Sequence, residues 1–588
     1  MTLHCHIQLI AVIAGSVSAS LSAAPPAVDR LFPAGGQRGT TVSVQLTGKF
    51  DAGTKAWCSR PDVKLDLDAK SRSLKLTIPK DTQPGVCWLR FYNAEGSSPP
   101  KPFVIGTLPE VIEKEPNDRL EQSQPLKSLA VVNGVLAKPG DVDTFAVSLK
   151  KGQTVVASLT ANNTLGSPMD GVLQVVSPRG FVLEQNDDDR GFDPQLAFTA
   201  PKDGTFHVRV FAFPATPNSS IRLSGAPTYL YRLTLTTGPF LDHPYPLAVS
   251  HGSEQRVELH GWSFPVGVQP SGWPDVRTTS VRPPPGNLKV ELQRASGPQS
   301  LVPIHDGRLP NTGAVEVVAH SALTEREPNP LKQPQPVELP ATVSGHIDRP
   351  RDVDVFQLTA KRGVQLRFRV EARALGSPLD PVLRLFDAKG AVVAQAETRS
   401  ATAIDETLSY RVPAGGKYRL EVGDLHRRGG WRFFYRLTMG PPPAVERIAV
   451  ASDRFALSPG KPLTIAVNVA GDGISSGRYK IDVRGLPADV SVSTGEPTKS
   501  KSTGRRRGRR RRGRGRSRAA GGQTVPVTLT LKAGKEFRGP FTIVAVPVGK
   551  AGLEYAAEAG IAGEPITALW LTAGKSAVAG KPKKRRRK

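Results

Sequence analysis

Apolar and polar residues alternate in short runs along most of this chain. Val42, Val44 and Leu46 share one face of a run that starts at Thr41. Phe145, Val147 and Leu149 repeat the pattern, as do Val155, Ala157 and Leu159, and then Phe206, Val208 and Val210. Leu463–Val469, Tyr479–Val483 and Val525–Leu531 alternate in the same way. A period of two marks strands with one face in a core and one in water. No long stretch keeps the 3.6-residue apolar period of a helix. Clusters of Gly, Pro, Asn and Asp separate the runs, and 57 Gly with 53 Pro in 588 residues leave little room for long helices. Aromatic residues are only 6% of the chain, so the cores are expected to be aliphatic. The pattern predicts an all-β chain of several domains.

The runs also repeat as a block. Glu113-Lys-Glu-Pro-Asn-Asp118 followed by Gly140-Asp-Val-Asp-Thr-Phe145 recurs as Glu325-Arg-Glu-Pro-Asn-Pro330 followed by Arg351-Asp-Val-Asp-Val-Phe356. Leu165-Gly-Ser-Pro-Met-Asp170 answers to Leu375-Gly-Ser-Pro-Leu-Asp380, and Gly204–Val210 to Gly416–Val422. Tyr231-Arg-Leu-Thr234 answers to Tyr435-Arg-Leu-Thr438. Five landmarks in the same order define two copies of one module.

This pattern resembles the bacterial pre-peptidase C-terminal domain family, whose marks are an acidic E-P-N lead-in, a D-x-D-x-F strand opening and a late P-x-x-G-x-Y/F strand. The resemblance covers 108–238 and 323–440. It implies modules carried by secreted peptidases and large envelope proteins. The opening Leu31-Phe-Pro-Ala-Gly-Gly-Gln-Arg-Gly-Thr-Thr41, running into a strand that ends at Gly48, resembles the IPT/TIG immunoglobulin-like fold. The expected architecture is a set of tandem β-sandwich domains, jelly-roll-like and immunoglobulin-like, joined by Pro-rich linkers. The expected order is a signal peptide (1–24), an IPT/TIG-like domain (25–107), the first module (108–238) and an immunoglobulin-like domain (239–322). The second module (323–440) and a third immunoglobulin-like domain (441–575) follow, the latter with an Arg-rich loop at 499–522, then a basic tail (576–588). Gly267–Gly286, rich in Pro and Gly, reads as an irregular loop.

The ends and the charge refine this. Ile7–Leu21 is apolar, too short to span a bilayer, and closed by small residues at Ser22-Ala-Ala24, which fits a secretory signal despite lacking an early Lys or Arg. The reading is export: secreted, periplasmic or cell surface. Beyond Cys5 the chain keeps Cys58 and Cys87, expected to form one disulfide, with two buried thiols as the alternative. The net charge of +27 is concentrated, with ten arginines between Arg505 and Arg518 and seven basic residues between Lys581 and Lys588. Arg505, Arg506, Arg507, Arg509, Arg510, Arg511 and Arg512, with Lys583, Lys584, Arg585, Arg586 and Arg587, form candidate polyanion-binding segments. So dense a run of like charge reads as a disordered, solvated loop. It resembles RG-rich nucleic-acid-binding segments but has no interleaved aromatic residue for base stacking. Counterion-release attraction to polysaccharide, lipid headgroups or extracellular DNA remains, beside the reading of a loop with no dedicated partner.

One constellation suggests a metal. Glu113, Glu115, Asn117 and Asp118, with Asp141 and Asp143, offer the oxygen donors that calcium takes in sets of six to eight. In collagenase-type relatives this lead-in is a calcium site, which the resemblance carries to these positions. Asp187, Asp188 and Asp189 form an acidic loop that could contribute. The second copy keeps Glu325, Glu327, Asn329, Asp352 and Asp354 but has Pro330 in place of Asp118. The alternative is a solvated linker with two turn-capping aspartates. No H-E-x-x-H helix occurs, and His251 and His260 have no third ligand near them in sequence. The expectation is a non-catalytic binding or scaffold protein whose modules bind envelope or matrix protein or polysaccharide, with calcium as the candidate cofactor. The alternatives are an accessory subunit of an exported peptidase or a cryptic hydrolase, and a polyanion-binding protein with β domains as spacers. The sequence sets no oligomeric state.

Overall fold

The computed structural model describes residues 24–574 apart from 127–128, 217–221, 251–254, 265–275, 282–299, 305–308, 398–404, 500–521, 533–535, 550–552 and 562–563. The expected signal peptide, the Arg-rich loop with Arg505–Arg512, and the tail with Lys583–Arg587 lie outside the described residues. Among the described residues helix is confined to Asn162–Leu165 and to the single 3₁₀ turns Leu120–Gln122 and Arg373–Leu375. No described helix is long and apolar enough to cross a membrane.

The strands assemble into sheets that follow one another in pairs along the chain. The first pair sets Thr41–Lys49 beside Ser73–Thr77 in one sheet and Gly85–Asn93 beside Lys101–Gly106 in the other. Val44, Leu46, Leu74, Leu76, Phe91 and Phe103 fill the space between them. These are the inward positions of the alternating runs, so pattern and packing agree. Cys58 ends strand Lys55–Cys58 and Cys87 lies on the neighbouring strand of the same sheet. Their sulfurs are 2.6 Å apart and both are free thiols in the structure. The two residues expected to pair therefore meet across neighbouring strands.

The two repeat modules have the same strand order. In the first, Glu110–Ile112, Leu129–Val135, Leu230–Thr236, Thr154–Thr160 and Gln195–Thr199 face Gln124–Leu126, Asp143–Leu149, Gly204–Pro214, Met169–Val176 and Val182–Asn186. In the second, the strands from Ser321–Thr324 to Glu406–Arg411 and from Gln335–Pro336 to Val392–Glu397 repeat that order strand for strand. Register repeats too: Asp143 lies opposite Val210, and Asp354 opposite Val422. Phe145 and Phe356, both fully buried, anchor the two aliphatic cores.

Between the modules stand two three-stranded sheets, one of them Phe240–Tyr245, Gln255–Trp262 and Val276–Val281. Val276–Val281 corrects the irregular loop expected over Gly267–Gly286. Its Val-Arg-Thr-Thr-Ser-Val sequence is rich in β-branched residues, which suit a pleated surface whatever flanks them. In the last pair of sheets Val490–Thr494 and Gln523–Leu531 are antiparallel neighbours, so the Arg-rich segment connects adjacent strands.

The units pack on one another. Arg90, 1% exposed, donates from Nη1 to Asp453 at 2.6 Å and from Nη2 to the Ala568 carbonyl at 2.9 Å, joining the first pair of sheets to the last. Trp57 meets Trp570 edge-on at the same junction, with ring centroids 5.8 Å apart. Arg432 of the second module grips Asp189 of the first with both Nη atoms, at 3.0 and 2.8 Å, and Asp242 of the middle unit at 3.1 Å.

Candidate metal sites in the two modules

In the first module, Gln124 shapes the acidic lead-in. Its side chain accepts the Lys114 N–H at 2.8 Å and donates to the Ile112 carbonyl at 3.2 Å. The Asn117 carbonyl accepts the Thr144 N–H at 3.1 Å, which pins the lead-in across the start of strand Asp143–Leu149. Gln335 makes the same pair of bonds to Arg326 and Thr324 in the second module, and Asn329 accepts from Val355 at 3.0 Å. The Glu115–Pro116 and Glu327–Pro328 bonds are both cis.

This folding brings carboxylate oxygens of Glu115, Asp141 and Asp143 within 4.8 Å of one another. Asn117, Asp141 and Asp143 are buried. One oxygen of each aspartate, and both polar atoms of the Asn117 side chain, lack a hydrogen-bond partner. Buried polar atoms are rarely left so. A hard cation such as calcium fits this donor set of carboxylates and an amide carbonyl.

The other expected residues stand at its edge. Glu113 turns away to accept the Val135 N–H at 2.7 Å and the Tyr231 hydroxyl at 3.0 Å. Asp118 accepts the Val142 N–H at 3.3 Å, and the exposed Lys138 reaches toward Asp118 and Asp141 at 3.7 and 3.6 Å. The acidic loop does not join the cluster: Asp189 spends both oxygens on Arg432, and among the described residues neither Asp187 nor Asp188 belongs to a metal-capable group. That corrects the expected contribution of Asp187–Asp189. An interface partner remote in sequence claims Asp189.

Behind the cluster lies a buried proton-sharing triad. Tyr231 donates to Asp143 at 2.5 Å. Burial raises the Glu113 pKa; burial, then the Glu113 charge, pushes Asp143 well above the usual carboxylate range. Burial, then the Asp143 charge, holds the Tyr231 hydroxyl well above its ordinary value. Gly134 lies opposite Tyr231, and a Cβ there would come 2.1 Å from the ring. Only glycine lets the phenol cross its neighbour and reach both carboxyl groups.

The second module repeats the triad with Tyr435, which donates to Asp354 at 2.6 Å and contacts Glu325 at 3.3 Å over Gly345. Its close group differs, being Glu325, Glu327 and Asp354. Asp354 Oδ1 and both polar atoms of the buried Asn329 side chain lack partners. Asp352 accepts the Asp348 N–H at 3.1 Å and is not part of the group. Asp348 itself stands close to Glu325, and burial and then Glu327 push its carboxyl up to about 6.

Sequence reasoning did not assign Tyr231, Tyr435, Gln124, Gln335 or Asp348 to these sites. Recurrence at matched positions of the repeat was the available signal for the first four. For Asp348 there was none, since Ala137 stands at the matching position. A third group went unseen altogether: His260 meets His243 and His346, so the absence of a third ligand near it in sequence does not hold in space.

Among known proteins, the family match falls within the first module. Residues 141–212 match the family model described as the bacterial pre-peptidase C-terminal domain. A probable subtilase-type serine protease of Deinococcus radiodurans is 32% identical over 98 residues, which are 16% of this chain and 14% of that protein. The match thus spans far less than two thirds of the curated relative. Among solved structures, the pre-peptidase C-terminal domain of a Bacillus anthracis collagenase is similar over 20% of this chain and 99% of its own, at 16% identity and a TM-score of 0.15. An Aeromonas hydrophila periplasmic inhibitor of g-type lysozyme is similar over 20% of this chain and 96% of its own, at 18% identity and a TM-score of 0.13.

Proposed function

We propose that this is an exported, non-catalytic binding protein of the envelope or extracellular space, whose modules bind protein or polysaccharide while holding calcium. The observation that carries this reading is a close carboxylate group in each module that includes a buried aspartate with an unpartnered oxygen. Glu115, Asn117, Asp141 and Asp143 would hold the ion in the first module, and Glu325, Glu327, Asn329 and Asp354 in the second. The ion would supply charge neutralisation, tying the lead-in to the sandwich and fixing how each module is presented. The basic segments Arg505–Arg518 and Lys581–Lys588 add attraction to polyanions. Calorimetric titration of the full chain with calcium tests the sites. The expected result is two binding events, with Asp143→Asn removing one and Asp354→Asn the other. Absence of heat in folded wild-type protein would refute the calcium reading.

A second reading, an accessory subunit of an exported peptidase, draws on the partial match to the Deinococcus protease. Stimulation of casein cleavage by a co-exported peptidase would favour it, and lack of any effect would remove it.

A further inference from the structure

We infer that His243, His260 and His346 form a transition-metal site, suited to zinc, that staples the middle unit to the second module. His243 and His260 are cross-strand partners on Phe240–Tyr245 and Gln255–Trp262. His346 ends strand Ala341–His346 of the second module. One ring nitrogen from each lies within 4.8 Å of the others. All three side chains are buried, at 1%, 4% and 7% exposure.

The spacing has a chemical meaning. His243 Nε2 and His346 Nε2 are 3.4 Å apart. Two nitrogens on one tetrahedral zinc, each about 2.0–2.1 Å from the ion, stand about 3.3–3.4 Å apart. The tautomer is also arranged. His243 Nδ1 lies 2.9 Å from Asp242, so it carries its proton toward that carboxylate and turns an Nε2 lone pair toward His346. Asp242 is fixed in turn by Arg432 at 3.1 Å and Gln195 at 3.3 Å. A carboxylate orienting a histidine in this way is the usual outer shell of a histidine–metal bond.

The surroundings favour neutral imidazoles, the form that binds metal. Burial lowers His243 to about 4 and holds His346 well below its ordinary value. Phe434 stacks on His243 at 3.8 Å, and Tyr245 covers His346 at 4.4 Å. The first module has Val135 where the second has His346. The site therefore belongs to one copy of the repeat, on the face that meets the middle unit. It is separate from the carboxylate clusters in donor type.

The test uses the full chain, stripped with EDTA and then held in excess calcium so that the carboxylate clusters are masked. Cobalt(II) is titrated and the visible absorption read. The expected result is about one cobalt per chain with the d–d bands of a four-coordinate site made of three histidine nitrogens and one solvent ligand, displaced by an equivalent of zinc. His346→Val, which installs the first module's residue, is expected to abolish the bands while leaving the calcium heats of the first module intact. His260→Gln serves as a second variant should His346→Val fail to fold. Folded wild-type protein without the bands, or either folded variant keeping them at full intensity, would overturn the inference.

Discussion

Replacing Asp453 by Asn tests whether the chain is closed on itself by a buried charge. The substitution preserves shape but removes the counter-charge from Arg90, a guanidinium that is 1% exposed. Two neutral acceptors remain, the Ala568 carbonyl at 2.9 Å and the Ser98 carbonyl at 3.3 Å. Breaking a buried ion pair from one side costs about 3–5 kcal/mol, and the two carbonyls place this case at about 3 kcal/mol. Arg90→Met is expected to cost less, about 1–2 kcal/mol, because Asp453 keeps Arg454 Nε at 3.3 Å. The double variant is expected to lie near Arg90→Met, since it leaves no orphaned charge. The assay is urea unfolding followed by tryptophan fluorescence, because Trp57 and Trp570 face each other across this junction. Undocking is expected as an early transition, since a multi-unit chain need not unfold in one step. A wild-type midpoint in Asp453→Asn, or a larger shift in Arg90→Met than in Asp453→Asn, would refute the argument from charge.

Calcium at about a hundred times its dissociation constant is expected to stabilise each module by about 2.7 kcal/mol, read as a rise in melting temperature that EDTA reverses. Gly134→Ala is expected to push the Tyr231 ring off Asp143 and to abolish calcium binding by the first module alone, read by the same calorimetry. Burial raises the Asp193 carboxyl to about 6, so the folded chain holds that proton more tightly than the unfolded one. The contribution is full below about pH 4 and is lost as pH rises through about 6, and Asp193→Asn should flatten that part of the melting profile. Unreduced mass spectrometry of exported protein is expected to show Cys58 and Cys87 joined, and two free thiols would count against the bond. Deletion of both basic segments is expected to collapse heparin retention and its salt dependence.

Much of the fold could be read because strand burial is a local property. The alternating residues Val44, Leu46, Phe145, Val147 and Val208 all proved to be core. The repeat was legible because both copies spell the same lead-in and strand opening. Val276–Val281 was misread because Pro and Gly on either side outweighed a β-branched run in the reading. The carboxylate cluster was legible in composition but not in detail. Nothing local separates Glu115, which faces the cluster, from Glu113, which faces Tyr231. That choice is made by Gly134 and by the strand pairing that places Tyr231 over it. Asp189 was misassigned for a related reason. Its charge was visible, but Arg432 lies more than two hundred residues away in the chain.

The two modules show how one frame serves two demands. The residues around the proton-sharing triad match between copies: Gly134 with Gly345, Asp143 with Asp354, Tyr231 with Tyr435, and Gln124 with Gln335. Four differences lie on the face that meets the middle unit. Val135 becomes His346, Pro227 becomes Trp431, Thr228 becomes Arg432 and Leu230 becomes Phe434. Each of those four second-copy residues touches the middle unit. His346 and Phe434 contact His243, Trp431 packs on Trp262, and Arg432 binds Asp242. The pattern follows if the tyrosine–carboxyl triad is the element both copies preserve, while the second copy also locks the chain's middle. His346 sits at the boundary of the two roles, its ring among the histidines and its backbone N–H on Glu325 at 2.5 Å. A change in one site should therefore be felt at the other in the second module and not in the first.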